Sequence, residues 1–261
     1  MEPKRKGYMR KSARIALIWS AATLAAQPTM AGTVVVPNVT ANNGNAANSD
    51  PFNLGAGASE RYQQVYDSYL FTPAFNVPEL ITQLAFRTNG LLCQCATTFS
   101  ATLPDVQIDL STTQSAAGAL STTYSANVGA DDTVVFDGAL ALSSAGSGRV
   151  PPGTFDILIP LQTPFLYDPN AGNLLFDVRV FDGATTVPFD AEFDFLGFPN
   201  GTSRITGALG SATGFADSGV AGGLITQFTF TAVPESSTGL LLLTGLFGMA
   251  IVARARRNGG L

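Results

Sequence analysis

The residue types that most enzymes use for catalysis are missing from the central part of this chain. The sequence contains no histidine, and its only lysines are Lys4, Lys6 and Lys11. The chain therefore lacks the usual general base, the Ser-His-Asp and Cys-His arrangements, and Schiff-base chemistry. Nor does it contain a glycine-rich phosphate loop or a dinucleotide fingerprint. The sequence thus favours a protein without catalytic activity and without an organic cofactor.

Carboxylates are the one chemical resource that remains. Glycoside hydrolysis needs only a pair of them, and the central part of the chain offers the glutamates Glu60, Glu79 and Glu192 together with many aspartates. The sequence does not show whether two of these groups face each other across a cleft. A glycan-active enzyme that works through carboxylates is therefore kept as the least favoured alternative.

Three acidic residues alternate along one predicted strand. Asp190, Glu192 and Asp194 project from one face of it, about 6.8 Å apart at successive positions. The favoured interpretation is a solvated outer face, which also discourages aggregation at a sheet edge. The alternative is a calcium site, because calcium binds clustered oxygens. The EF-hand pattern itself fails, because Phe195 stands where that loop needs glycine.

Cys93 and Cys95 are the only cysteines. On a straight strand, residues two apart lie nearly 7 Å from each other, at or beyond the limit for a disulfide. A bulge or turn could close them into a strained bridge. They are otherwise free thiols, or they pair with another chain; a metal site is the least favoured use, because no further soft ligands are present.

The charge of the chain is sharply divided. Nine of its 14 basic residues lie at the two ends, and the body between them has five arginines, no lysine and 17 carboxylates, a net charge of −12. A domain with this charge repels nucleic acid and anionic surfaces and attracts divalent cations. We therefore expect no nucleic-acid partner.

The N-terminus has the three parts of a secretory signal peptide. A basic region runs through Arg14, and residues 15–26 form an apolar stretch too short to span a bilayer permanently. Small residues at Thr29 and Ala31 then place the cleavage between Ala31 and Gly32. The sequence predicts a signal peptide over residues 1–31 and an exported protein, with an uncleaved anchor as the alternative.

The C-terminus combines an apolar segment with a basic end. Residues 238–253 are apolar on every face, and Arg254, Arg256 and Arg257 follow them. As a helix the segment is about 24 Å long, slightly less than a hydrocarbon core of about 30 Å. The arginines resist translocation, so we expect the C-terminus in the cytoplasm and the body outside. A buried core helix is the alternative, and it fits poorly beside three arginines.

These C-terminal parts together resemble a known sorting signal. Val233, Pro234 and Glu235, then small polar residues, the apolar span and the arginine cluster resemble the PEP-CTERM signal of Gram-negative bacteria. The resemblance covers about 25 residues, and Ser236 replaces the second proline of that motif. It implies processing by a membrane protease of the exosortase type, an inner-membrane precursor, and a mature protein at the cell surface or in an exopolysaccharide matrix. Residues 233–261 are thus predicted to be a processing tag.

The body, residues 32–232, has the sequence pattern of an all-β domain. Apolar and polar residues alternate at period two, for example along residues 106–110, 176–180 and 189–195. Turn residues separate these runs at Asn89-Gly90, Asp137-Gly138, Pro152-Gly153, Asp182-Gly183 and Asn200-Gly201. This spacing predicts nine or ten short strands in an antiparallel β-sandwich of jelly-roll type, after a loop or extended arm over residues 32–57.

A group of aromatic residues lies near the start of the body: Phe52, Tyr62, Tyr66, Tyr69, Phe71 and Phe75. The favoured interpretation is hydrophobic core, and the alternative is an exposed platform that stacks on sugar rings. For the whole protein we expect a structural or adhesive role in an exopolysaccharide or biofilm setting. A lectin-like carbohydrate-binding module is the main alternative.

Overall fold

The computed structural model describes residues 31–40, 42–89, 97–146, 152–184, 192–197, 199–216 and 222–233. This part of the chain is all-β, with antiparallel strand pairs, two short 3₁₀ turns and no α-helix. No helix within it is long and apolar enough to cross a bilayer. The predicted signal peptide up to residue 30 and the predicted membrane segment 238–253 lie outside the described residues.

Thirteen strands make up the described fold. They are β1 (Ala31–Val36), β2 (Ala46–Asn48), β3 (Glu60–Tyr66), β4 (Glu79–Phe86), β5 (Phe99–Thr113), β6 (Thr133–Ser144), β7 (Ile157–Tyr167), β8 (Asn173–Asp182), β9 (Phe193–Gly197), β10 (Thr202–Gly207), β11 (Phe215–Ala216), β12 (Gly222–Leu224) and β13 (Thr226–Ala232).

The strands form three sheets around one core. A six-stranded sheet has the order β11-β10-β3-β8-β5-β6, a four-stranded sheet the order β1-β13-β4-β7, and a small sheet the order β12-β9-β2. Buried side chains from all three, including Ile108, Ile81 and Phe193, belong to the same hydrophobic cluster. The arrangement is therefore sandwich-like, with apolar side chains of facing sheets packed against each other.

The period-two pattern correctly identifies the inward-facing residues. On β5, Val106, Ile108 and Leu110 are fully buried, and on β8 Val178 and Val180 are too. The same pattern predicts that the intervening residues face water, and for the aspartates this is wrong. Asp109, Asp177 and Asp194 are at most 2% exposed. Period two identifies the two faces of a strand, but it does not reveal that a second layer covers the polar face.

Two of the predicted turns do not have the role that was predicted for them. Asn89-Gly90 does not close a hairpin, because β4 has β13 and β7 as its two neighbours and β5 lies in the other large sheet. Asp137-Gly138 lies inside β6, where Gly138 takes a φ of 125° next to a bulge in the β5–β6 register. A positive φ favours glycine in a bulge as well as in a turn, so the dipeptide alone does not distinguish them. By contrast, Asn200-Gly201 does connect β9 to β10.

Residues 32–57 are not a loop throughout. They contain β2 and most of β1, and β1 pairs with the last strand from Ala31↔Thr231 to Val36↔Thr226. Gly32 lies under the ring of Phe230, and a Cβ atom at this position would stand 2.5 Å from that ring. The small residues of this segment thus permit close packing as well as turns.

The early aromatic residues are mainly core, as predicted. Phe71 lies at the centre of this group and packs edge-on against Tyr66, Tyr167 and Phe228, with ring centroids 5.0–6.4 Å apart. Edge-to-face contacts of this kind add to the burial of apolar area. Tyr69 is the exception, at 57% exposure.

Candidate functional site

Arginines organise the polar interior of this fold. Of the five arginines in the body, the structure describes Arg61, Arg87, Arg179 and Arg204, and each is buried or half-buried. Three of them form ion pairs with aspartates, and Arg204 lies over the ring of Phe195, 4.6 Å from its centroid. Because a buried charge is costly unless paired, these arginines determine where carboxylates can be buried.

Arg87 and Asp194 form a completely buried ion pair. Arg87 Nε donates to Asp194 Oδ2 over 2.6 Å, and both side chains are at most 1% exposed. The second carboxylate oxygen accepts from the Gly44 N–H at 2.9 Å and from the Asn89 side chain at 2.8 Å. Burial raises the pKa of Asp194, whereas Arg87, Gly44 and Asn89 favour its ionised form.

This ion pair joins three parts of the chain. Arg87 follows β4, and its Nη2 also donates to the carbonyls of Val39 and Asn42 in the segment between β1 and β2. Asp194 belongs to β9 of the small sheet. At Gly44 a Cβ atom would stand 2.1 Å from the Phe195 carbonyl, so only glycine lets the backbone approach closely enough to reach the carboxylate. The pair therefore fastens the small sheet and the N-terminal segment to the four-stranded sheet.

These contacts bear on the predicted calcium site, because Asp194 is one of its three proposed ligands. Asp194 does not face water, because both of its carboxylate oxygens accept hydrogen bonds from protein donors. Glu192 is half-buried, and Asp190 lies outside the described residues. Within the described ranges no group of acidic or cysteine side chains is arranged to hold a metal ion. The three-residue site as a whole stays a prediction.

A second polar group, the outer-face network, lies on the solvent side of the six-stranded sheet. It consists of Arg61, Gln63, Gln107, Asp109, Asp177 and Arg179. The strand register creates it in two neighbouring rows. Gln63, Asp177 and Asp109 lie side by side on β3, β8 and β5, and Arg61, Arg179 and Gln107 form the next row.

The outer-face network is closely hydrogen-bonded. Arg61 donates two hydrogen bonds, of 2.6 and 3.1 Å, to the Asp177 carboxylate, and Arg179 donates a hydrogen bond to Asp109. Burial lowers the pKa of Arg179, but Asp177 and Asp109 outweigh this effect and raise it. Gln63 and Gln107 donate to the two carboxylates at 2.8 and 2.9 Å. Fork-shaped arginine–carboxylate pairs are the strongest ion pairs available to a protein.

The connection between β5 and β6 covers one side of this network. Its Asn127 donates to the Gln63 side chain at 3.0 Å, and the Arg61 guanidinium lies 4.6 Å from the Tyr124 ring centroid. Tyr124 also donates its hydroxyl to the Arg61 carbonyl, and burial raises its pKa to about 12. Arg61 and Arg179 keep 16% and 21% of their side chains exposed. The network is thus a structural layer with a narrow opening to solvent.

The geometry of the outer-face network suits binding better than hydrolysis. Asp109 and Asp177 are direct neighbours on adjacent strands of one sheet. Glycosidases instead place two carboxylates on opposite sides of the bond they cleave. Both aspartates here are already bonded to arginine. The partly exposed edges of the Arg61 and Arg179 guanidinium groups offer hydrogen-bond donors to a polar ligand.

A third polar group surrounds Glu60 on the inner face of β3. Thr206 donates its hydroxyl to the Glu60 carboxyl, and Tyr62 donates to Gln64 at 2.5 Å. Burial, followed by the nearby charge of Asp50, raises the pKa of Glu60 to about 8, although Arg204 opposes the shift. Glu60 therefore holds a proton in the folded protein at neutral pH.

Most of the predicted functional residues are not brought together with these groups. Ala31 and Gly32 begin β1, and Val233 follows β13. Cys93, Cys95, Pro234, Glu235, Arg254, Arg256 and Arg257 lie outside the described residues. Sequence reasoning missed the arginine-centred networks. One feature of the sequence pointed to them. Arg61, Arg87 and Arg179 are among the few cations of the body, and they lie in or beside predicted strands, where a charged side chain is rarely buried without a partner.

Comparison with known proteins identifies no family for this chain. No protein-family model, no curated protein and no solved structure matches the chain.

The Arg87–Asp194 pair generates a stability prediction. Asp194→Leu leaves a buried guanidinium without its carboxylate, so we expect it to lower the free energy of unfolding by about 3–5 kcal/mol. The double variant Arg87→Met/Asp194→Leu removes both charges and should recover a large part of that loss. Urea unfolding of both variants measures the difference. Asp105→Leu, which replaces an exposed carboxylate, is the control. If Asp194→Leu lowers the free energy of unfolding by no more than this control does, the account is contradicted.

Glu60 generates a pH prediction. Between the unfolded pKa of 4.5 and the folded value of about 8, the folded state holds a proton that the unfolded chain has lost. The free energy of unfolding therefore falls as pH rises through this window. Glu60→Gln keeps an acceptor for Thr206 and abolishes the titration, so it should gain up to about 3 kcal/mol at pH 7 and nothing at pH 4.

Thermal melts at pH 4, 7 and 9 measure this effect, with Glu79→Gln as the matched exchange. An advantage of Glu60→Gln over the wild type that stays constant across pH would show that Glu60 does not titrate in this way.

Proposed function

We propose that this protein is an exported, non-catalytic surface or extracellular-matrix protein that is sorted through its C-terminal segment. The observation that carries the proposal is the pairing of β1 with β13. Ala31 is the partner of Thr231, and Val233 follows two residues later. The predicted signal cleavage site and the start of the predicted sorting tag therefore lie at the same end of one sheet.

This placement suits a domain that is tethered and then released. While both processing segments are attached, the membrane lies at one end of the domain and the opposite end faces outward. The proposed cuts, between Ala31 and Gly32 and beyond Val233, fall at the margins of β1 and β13. Ala31 and Val233, the described residues next to these cuts, are exposed, which is compatible with processing that leaves the packed sheets intact.

The sorting pathway rests on the sequence motif. Val233, Pro234 and Glu235 would be recognised by an exosortase-type membrane protease, while residues 238–253 and the three arginines hold the precursor in the inner membrane. The mature protein would then reach the cell surface or the exopolysaccharide outside it. A structural or adhesive role is favoured because the described arginines and their partner aspartates are engaged in internal bonds that stabilise the fold.

We also propose jelly-roll connectivity for the sandwich. The antiparallel pairs β5–β6, β4–β7 and β3–β8 are nested within one another along the chain, and the middle pair lies in the four-stranded sheet. In a jelly roll, one long antiparallel hairpin folds over, so that its successive strand pairs lie alternately in the two facing sheets. The three nested pairs have this pattern. The nesting supports the proposal.

A carbohydrate-binding module is the second candidate function. The observation that favours it is the partly exposed edge of the outer-face network, where Arg179, with 21% of its side chain exposed, is two residues along β8 from Phe181, whose exposure is 41%. Planar polar groups beside an exposed ring are what sugar recognition uses. A defined oligosaccharide bound at micromolar strength, and lost in Arg179→Ala, would favour this candidate over a purely structural role.

The sorting proposal is tested in a host that has the processing protease. Deletion of residues 234–261 should release the body as a soluble periplasmic protein, because no apolar span remains to hold it. Glu235→Ala should leave full-length precursor in the membrane, and Glu79→Ala, the same exchange within the body, should be processed normally. Fractionation and sequencing of both termini provide the measurement. A deletion variant that misfolds would contradict the proposal, since the segment would then belong to the core.

A further inference from the structure

The free edges of the two large sheets are built differently. β6 is one of the two edge strands of the six-stranded sheet, the other being the two-residue β11, and side chains bond to part of the backbone in and just after β6. The Gln162 side chain accepts from the Asp137 N–H at 3.1 Å and donates to the Asp137 carbonyl at 3.0 Å. The Asp156 carboxylate accepts from Ser144 and from the Ala145 N–H. The bonds to the Asp137 backbone and to the Ala145 N–H occupy groups that another strand would need, so they protect this edge against added strands.

β1 has no such protection within the described ranges. It lies at the end of the four-stranded sheet with β13 as its one neighbour. Its six residues, AGTVVV, are uncharged and rich in β-branched side chains. In antiparallel pairing only half of the backbone groups point toward one neighbour, so the others face the open side. None of the devices that usually discourage strand addition, such as lysine, an inward charge or a bulge, occurs in this strand.

The surface next to β1 is also uncharged. Thr33 and Val35 share the outer face of the sheet with Gln227, Thr229 and Thr231 on β13, and the next two strands continue it with Gln83, Leu158 and Leu166. The body as a whole carries −12. Two copies of this domain therefore repel each other over most of their surface and can approach at low electrostatic cost along this sheet.

We propose that the β1 edge is a docking site for a second copy of this chain. Two β1 strands related by a two-fold axis would pair antiparallel and join their sheets into one of eight strands. A two-fold contact uses the same surface on both partners, so a strand free of charge is compatible with itself. Backbone hydrogen bonds across the axis supply the affinity, as in other strand-addition interfaces.

The proposed pairing has a consequence for timing, which rests on the proposed sorting function. Antiparallel β1 strands point their Ala31 ends in opposite directions. Since each chain is proposed to attach to the membrane near Ala31 and Val233, two precursors in one membrane would have to point the same way. Pairing therefore requires release from the membrane, and assembly would follow processing.

The experiment uses the full chain in detergent and measures its mass by light scattering across a micromolar concentration series. A dimer is expected for the wild type. Thr33→Lys, which puts a charge on the edge strand, should raise the dimer dissociation constant about tenfold or more. Thr229→Lys places the same charge on the same face one strand further in, and it should leave the dimer unchanged. Val35→Lys repeats the edge test, and melting curves identify any variant that fails to fold.

Three results would overturn the docking proposal: a wild-type monomer throughout the series, a dimer that persists in both edge variants, or an equal loss in Thr229→Lys, which would indicate packing through the face. Chemical cross-linking of the precursor tests the timing, with dimers expected after solubilisation and none in intact membranes. Because the mass is measured on unprocessed chain, a failed sorting signal changes where the protein goes and leaves this result unaffected.

Discussion

The fold depends on the burial of charge in matched pairs. The Arg87–Asp194 ion pair is the clearest case, because it is completely buried and joins the small sheet, the segment before β2 and the end of β4. Packing of apolar residues alone would hold these parts together in several similar arrangements. A buried guanidinium accepts only the arrangement that brings it a carboxylate and two carbonyls, so here we propose that the pair selects one packing of the sheets.

The same constraint determines the character of the surface. Each described arginine is drawn into an internal ion pair or an aromatic contact, and the body contains no lysine. The exposed surface of the described residues is formed by carboxylates, amides, hydroxyls and apolar groups, among them the rings of Tyr69 and Phe215. Such a surface fits the proposed setting among neutral polymers, whereas over most of its area it repels a second copy of the domain. It also explains why the uncharged β1 edge stands out as the place where contact costs least.

The sequence predicted the fold class and the inward-facing residues, because period-two alternation reports directly on the two faces of a strand. It misplaced the turn at Asn89, because in this fold the asparagine amide binds Asp194 and the Ala46 carbonyl instead of closing a hairpin. It also assigned Asp109 and Asp177 to solvent. Their burial depends on arginines brought alongside by strand register and on a cover formed by the β5–β6 connection. No local pattern contains such long-range information, whereas the prediction of processing segments at the two ends uses local composition alone.

The central claim, that the described arginines of the body belong to its interior, can be measured with an arginine-selective reagent such as phenylglyoxal. Folded full-length protein and the same protein in urea would be labelled and their peptides compared by mass spectrometry. The account predicts that Arg87 is strongly protected in the folded protein, that Arg61 and Arg179 are protected to a smaller extent because their edges reach solvent, and that all three react in urea. Equal labelling of Arg87 in the folded and unfolded protein would contradict it.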